Sequence, residues 1–294
     1  MRIAIFTITQ NDPWLRLWVS HAVSQGFQPE DIYILDHNSG GTFREVYLKE
    51  LATRHPVLRV SNPVSYDYLW LSEQVSNFQR FLIRQYDVVV FAAADELLYP
   101  TSAATVVDAI REDRSRNIGD YVDAWEVVQQ PGEAPYNPNL PWDVQRSSGF
   151  LSSYYRRIRV TRAPVLWVPP MLTVKAPFSK AANIPRDQPS TDALVVAHLH
   201  RLDAHMAVVR HREIANTRKL KPYSEDFAAP YQHNLITSQE AVIQWLGTDL
   251  ANPGQPVTMM SLPMIAKDTA NGRDISAGEA RSESISSSEP ACGS

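Results

Sequence analysis

The sequence predicts an α/β fold, a sheet assembled from βαβ units and flanked by helices. Three observations carry that prediction. Apolar, β-rich runs alternate with helix-spaced segments through the first hundred residues. One of them, Asp87–Phe91 (DVVVF), is continuously apolar, as strands covered on both faces are. Several of the runs end in polar clusters: Thr9-Gln10-Asn11, Asp36-His37-Asn38-Ser39 and Asp95-Glu96. Open parallel sheets bind ligands at the carboxyl ends of their strands, which is where these clusters fall.

Each element follows from local chemistry. Arg2–Ile8 is the first strand. Asp12 and Pro13 then supply an N-cap and a first-turn proline. Trp14, Leu15, Trp18, Val19, Ala22 and Val23 recur at helical spacing until Gly26 stops the helix. Asp31–Leu35 is a second strand, Phe43–Arg54 a helix and Val57–Val60 a short strand. Leu69–Gln85 is a longer amphipathic helix, and Asp87–Phe91 runs on into Ala92-Ala93-Ala94-Asp95-Glu96.

Beyond about residue 120 the texture changes. Of the 21 prolines, ten fall between Pro131 and Pro189, interleaved with Tyr136, Trp142, Tyr154, Tyr155 and Trp167. The expectation is loop-rich structure with short strands at Arg157–Thr161, Val165–Val168 and Ala193–Leu199. Helices are expected at Asp203–Arg218 and Ser238–Leu246. From about Lys267 onward aromatic residues vanish and Ser and Glu dominate, so the tail is expected to be disordered.

Composition removes several classes of function. A net charge of -4 speaks against a general nucleic-acid binder, whose phosphate contacts require an excess of Lys and Arg. The single cysteine, Cys292, excludes an intramolecular disulfide framework and a cysteine zinc cage. No segment approaches the roughly 18 apolar residues of a membrane span, and the N-terminus lacks the features of a secretory signal. A cytoplasmic protein without a transmembrane segment is expected. Neither GxGxxG nor GxxxxGK[ST] follows the first strand, against a dinucleotide oxidoreductase and a P-loop NTPase.

The polar clusters suggest chemistry. Asp36 is suited to accept hydrogen bonds from a base or ribose, and Asp95 to hold a divalent cation through its carboxylate. Each also has a structural reading, since Asn and Asp are ordinary turn and cap residues. Later, His198 and His200 alternate on a strand and so share one face. With Asp203 they approach the HxHxDH spacing of metal hydrolases, one residue out of step. The aromatic segment from Trp125 to Trp167 suits either a sugar cleft or a satellite core.

Taken in order, these motifs resemble a family. An apolar strand ending in Asn11, the helix bearing Trp14 and Trp18, DHNSGGT, a Gln74…Asn77 helix, DVVVFAAADELLYP, WVPPM and AHLHRLD succeed one another over roughly residues 1–220. This order is similar to that of bacterial glycosyltransferase family 2-like proteins. The resemblance implies a GT-A-like, Rossmann-type mixed sheet flanked by helices, in a single catalytic domain. Residues 1–120 would form its nucleotide-sugar-binding half, 121–250 its acceptor side and 251–294 the tail. It implies nucleotide contacts from Thr9, Asn11, Asp36, Asn38, Gln74 and Asn77, and metal contacts from Asp95 and His198. Mn2+ or Mg2+ is the implied cofactor, although Ala93 stands where the family's first motif Asp belongs. Pro170 and Met171 likewise depart from the Gly and His of related sequences.

The implied reaction moves a sugar from a UDP- or GDP-sugar to an acceptor hydroxyl on a glycan or small molecule. Without a carboxylate at 93, Arg80 or Arg201 would add positive charge at the leaving diphosphate. Inversion needs a carboxylate base. Glu96 and Asp143 are the candidates, with Asp123 and Glu126 also in the region where acceptors bind. Two other readings remain open at this stage: an inactive relative serving as a binding or scaffold protein, motivated by Ala93, and a metal hydrolase built on His198, His200 and Asp203.

Overall fold

The computed structural model describes residues 1–60, 68–113, 119–162, 190–210, 244–249 and 255–265. The strand expected at Val165–Val168, the second half of the helix expected at Asp203–Arg218, most of that expected at Ser238–Leu246, Trp167, Pro170, Met171 and the tail from 266 lie outside these residues. Among the described residues, no helix is long and apolar enough to cross a membrane.

The expected alternation builds one mixed α/β sheet. Its strands are β1 (Ile3–Thr9), β2 (Ile32–His37), β3 (Val57–Val60), β4 (Val88–Phe91), β5 (Glu96–Pro100), β6 (Gly119–Val128), β7 (Ser148–Arg162), β8 (Ser190–Arg201) and β9 (Met260–Ser261). They lie in the order β3-β2-β1-β4-β7-β6-β8-β5, with β9 against β7. β1 to β4 are mutually parallel. β7 runs antiparallel between β4 and β6, β8 is parallel to β6, and β5 closes the row antiparallel to β8. The carboxyl ends of β1, β2, β4, β6 and β8 therefore share one edge, where open parallel sheets place ligands.

Burial explains why the early strands read as apolar runs. Along β1, Ile3 and Ile5 face one layer with Trp14, Leu15 and Trp18 of α1 (Leu15–Ser24, preceded by Trp14). Ala4 and Phe6 face the opposite layer, with Val75 and Leu82 from the helix Tyr68–Leu82. Both faces of the sheet are covered there, and period-two alternation buries residues 3–7 in succession. Burying a side chain such as Leu15 contributes roughly 1.5–3 kcal/mol. At the end of α1, Gly26 adopts φ +89, and a Cβ there would press on Thr105 and Val107. The helix Val106–Glu112, packed beside Gly26, is capped by Thr105, whose Oγ1 accepts the Asp108 amide.

Two expectations need correction. Residues 96–100, read as the sequel to the fourth strand, form a strand of their own because Leu97 and Leu98 bury against β8 and α1. The region beyond 120 is also more regular than its prolines suggest. Pro131, Pro135, Pro138 and Pro141 all sit in the connection between β6 and β7, leaving two long strands uninterrupted. Trp142 is buried and its indole donates to the Tyr99 hydroxyl at 3.2 Å, while Tyr136 packs on Trp14. These two aromatics belong to the core and do not form a cleft.

Candidate functional site

The shared sheet edge is organised by register. Glu96 of β5, His198 of β8 and Glu126 of β6 stand side by side across three strands. Between β4 and β5 the chain makes a tight turn, and Glu96 holds it by accepting the Ala93 amide at 2.7 Å. The turn projects Asp95, whose carbonyl also accepts the Leu199 amide at 2.8 Å. Asp95 is thereby fixed opposite the end of β8.

Asp95, His198 and His200 offer donor atoms that all lie within 4.8 Å of one another. Asp95 Oδ2 is 3.4 Å from His198 Nε2 and 3.4 Å from His200 Nδ1. The two imidazoles lie parallel, 4° apart in plane with centroids 5.7 Å apart, as i and i+2 on one strand face require. On its far side, His198 Nδ1 pairs with Glu126 Oε1. That contact directs Nε2 toward Asp95, the arrangement by which a carboxylate sets the tautomer of a ligating histidine. The donor set fits a divalent cation. Two donors about 2.1 Å from a common ion in tetrahedral or octahedral geometry stand about 3.0–3.4 Å apart.

The electrostatics follow from burial and pairing. Burial pulls His198 toward the neutral form, but Glu126 and Asp95 outweigh it and push its pKa up to about 10. Burial likewise favours a neutral Asp95, yet His198 and His200 hold its carboxyl well below the usual range. Glu126 is itself neutralised by Arg201, whose Nε lies 3.1 Å from Oε2. Arg201 is 0% exposed and sits 3.9 Å from the centroid of the Trp245 ring. It also donates to the carbonyls of Trp245 and Thr248. The guanidinium expected at a leaving diphosphate is thus spent on Glu126.

The expected nucleotide residues form a second unit on the same edge. Asp36 is buried and its Oδ1 accepts the Ser39 amide at 3.0 Å. Ser39 Oγ accepts the Asn11 amide at 3.0 Å, and Asn11 Oδ1 accepts the Gly40 amide at 3.0 Å. The loops after β1 and β2 are therefore locked together. Asn11 and Asn38 take left-handed φ values of 51 and 54, a conformation that Asn tolerates better than most residues. Thr9 lies at the end of β1, with its Oγ1 buried and without a hydrogen-bond partner among the described residues. Gln74 is half-buried and Asn77 exposed on the helix before β4.

Other candidates stand elsewhere. Asp143 opens the short helix Trp142–Gln145 outside the cluster, its Oδ1 accepting the Val144 amide. Asp203 gives one oxygen to the Tyr136 amide and the other to the Met206 amide, so it caps the helix over 204–210. The His198–His200–Asp203 trio expected of a hydrolase is replaced by His198–His200–Asp95. Sequence reasoning missed Asp12. Burial raises its pKa, Arg210 offsets part of the rise and Asp95 adds to it, giving a value of about 6. Arg210 also donates to the Gln10 carbonyl at 3.2 Å, tying the loop after β1 to the helix after β8. Asp12 had a legible role as a helix cap, but nothing in the sequence places it beside Asp95.

No family model matches the chain, and no curated protein matches it. Solved structures with partial similarity include a mannosyltransferase, PcManGT from Pyrobaculum calidifontis, in complex with GDP-Man and Mn2+. It shows 16% identity and a TM-score of 0.30, over 44% of this chain and 36% of that one. TarS of S. aureus shows 10% identity and a TM-score of 0.33, over 74% of this chain and 40% of that one. GalNAc-T7 with UDP, GalNAc and Mn2+ shows 14% identity and a TM-score of 0.29, over 44% and 23% respectively. The chain thus spans less than half the length of each of these three proteins.

Proposed function

We propose that this chain is a nucleotide-sugar glycosyltransferase that works with a divalent cation. The observation that carries the reading is the convergence of Asp95, His198 and His200 at the carboxyl edge of the sheet, alongside the interlocked loops after β1 and β2. A bound cation at such a site would neutralise charge on a departing nucleoside diphosphate. The chain's own residues supply the rest. Asp95 and His198 would hold the cation, Glu126 orients His198, and the buried Arg201 pairs with Glu126. Thr9, Asn11, Asp36 and Asn38 line the nucleotide side, with Gln74 and Asn77 on the helix leading into β4.

The acceptor proton requires a carboxylate within hydrogen-bond reach. Glu96 and Asp143 are the proposed bases. Glu96 stands in the same sheet row as His198, and Asp143 is partly solvent-accessible. Substituting each by its amide separates them: the true base loses turnover while donor binding persists.

Thermal unfolding with UDP or GDP, with and without Mn2+, tests the proposal. A ligand at a hundred times its dissociation constant adds about 2.7 kcal/mol of stability, a clearly measurable rise in Tm. If no nucleoside diphosphate raises Tm under either condition, the transferase reading fails.

A further inference from the structure

We infer that His200 ligates the same ion as Asp95 and His198, forming a two-imidazole, one-carboxylate centre that selects Mn2+, Co2+ or Zn2+ over Mg2+. The inference rests on the transferase reading for what the ion does, and on the geometry alone for whether and how it binds.

Three observations converge on it. First, His200 Nδ1 and His198 Nε2 lie at the same 3.4 Å distance from the same oxygen, Asp95 Oδ2. One carboxylate oxygen thus stands at the same distance from both imidazole nitrogens, a spacing that donors to a common ion show. Second, both histidine rings are fixed by neighbours on their outer sides. His198 is held by Glu126, and His200 packs edge-on against Trp245 with centroids 5.7 Å apart. Third, exposure is uneven across the centre among the described residues: the His198 side chain is 3% exposed, whereas His200 and Asp95 are 15% and 19% exposed. Closed protein ligation on one side and solvent on the other is how a site keeps coordination positions for a substrate.

The donor chemistry then decides the metal. Ala93, two residues before Asp95, contributes no carboxylate, so imidazole nitrogens outnumber carboxylate oxygens in the cluster. Mg2+ demands oxygen donors, whereas imidazole suits the later divalent ions. The charge balance changes as well. Within the Asp95–His198–His200 cluster, Asp95 is the one carboxylate. A dication held there keeps a net charge of about +1, where two carboxylates would have left it neutral. His200 in place of a second acid thus makes the centre a stronger partner for a diphosphate.

Mn2+ binding to the full chain, freed of metal by chelation and followed by electron paramagnetic resonance, tests the inference. The expected result is that Mn2+ binds and that roughly hundredfold excess Mg2+ fails to displace it. His200→Ala and His200→Gln should each weaken Mn2+ binding roughly tenfold or more. His200→Asp should bring the Mn2+ and Mg2+ affinities closer together. Unchanged Mn2+ affinity in both His200→Ala and His200→Gln overturns the inference, as does displacement by equimolar Mg2+. The Mg2+ competition needs no variant, so a poorly folding substitution leaves the test intact. Mn2+ binding that depends on His200, without any response to UDP or GDP, supports the metal centre and overturns the transferase reading.

Discussion

Glu126 and His198 face each other in the register of β6 and β8, and the buried carboxylate pairs with the imidazole Nδ1. Behind Glu126 lies Arg201, wholly buried, so one continuous line of alternating charge runs from Asp95 through His198 and Glu126 to Arg201. Removing one member of such a line leaves its neighbour charged and unpaired in a low-dielectric interior, which costs about 3–5 kcal/mol.

Glu126→Ala is therefore expected to lower unfolding stability by about 3–5 kcal/mol in urea titrations. Combining it with Arg201→Met should restore more than half of the loss, because the double variant buries no orphan charge. Glu126→Gln keeps an acceptor for His198 but loses the charge, and should weaken Mn2+ binding by roughly tenfold or more. Additive losses in the double variant would show that the pair does not act as a unit.

His21 gives the fold a pH dependence of known sign. It is half-buried, its Nε2–H donates to the Leu98 carbonyl, and desolvation lowers its pKa to about 4. The unfolded chain takes up this proton near pH 6.5 and the folded chain near 4. The contribution is therefore fully present above pH 6.5 and is lost as pH falls from there to 4, about 3 kcal/mol in all. Comparing the stability of wild type and His21→Gln at pH 7 and pH 4 checks this: the gap between the two should narrow at the lower pH.

Gly149 lies where β7 passes β6, and a Cβ there would collide with the Glu126 carbonyl oxygen and meet Leu262. Gly149→Ala forces the strands apart and should destabilise the protein by about 1–3 kcal/mol. Because the displaced strand carries Glu126, Mn2+ affinity should fall along with Tm. Retention of wild-type affinity would show that the row tolerates the shift.

Asp36 is expected to act in two ways. Asp36→Ala removes the acceptor for the Ser39 amide and should cost about 1 kcal/mol of stability. Asp36→Asn retains an oxygen acceptor and should leave stability within about 0.5 kcal/mol of wild type while reducing the nucleotide-induced rise in Tm. A full nucleotide response in Asp36→Asn would assign Asp36 to loop structure alone.

Much of the fold was legible because its first half obeys local rules. The strands read at Arg2–Ile8, Asp31–Leu35, Val57–Val60 and Asp87–Phe91 match β1 to β4 to within a residue or two. Their apolar runs and the turn residues between them are written locally. β5, β6 and the full length of β7 were not legible, because what makes them strands is pairing with partners distant in sequence. The site divides in the same way. Period two alone put His198 and His200 on one face. Their meeting with Asp95 depends on β8 lying beside β5, and the role of Glu126 depends on β8 lying beside β6. The fate of Arg201 was hidden for the same reason. The sequence offers Arg201 to a leaving diphosphate, and only the fold brings it against Glu126 and Trp245.

The position of β8 between β6 and β5 has a consequence for biosynthesis. The ribosome releases β5 and β6 well before β8, and β5 pairs with β8. Until residue 201 has emerged, a nascent chain carries an unfilled slot bordered by the apolar residues Leu97, Val122 and Ala124. Such an open edge is a docking point for chaperones or for a neighbouring nascent chain. The strand that fills it also brings both histidines. Assembly of the Asp95–His198–His200 cluster and the sealing of the sheet are thus one event in the life of each molecule, and a chain released before β8 would expose the slot while lacking both histidines.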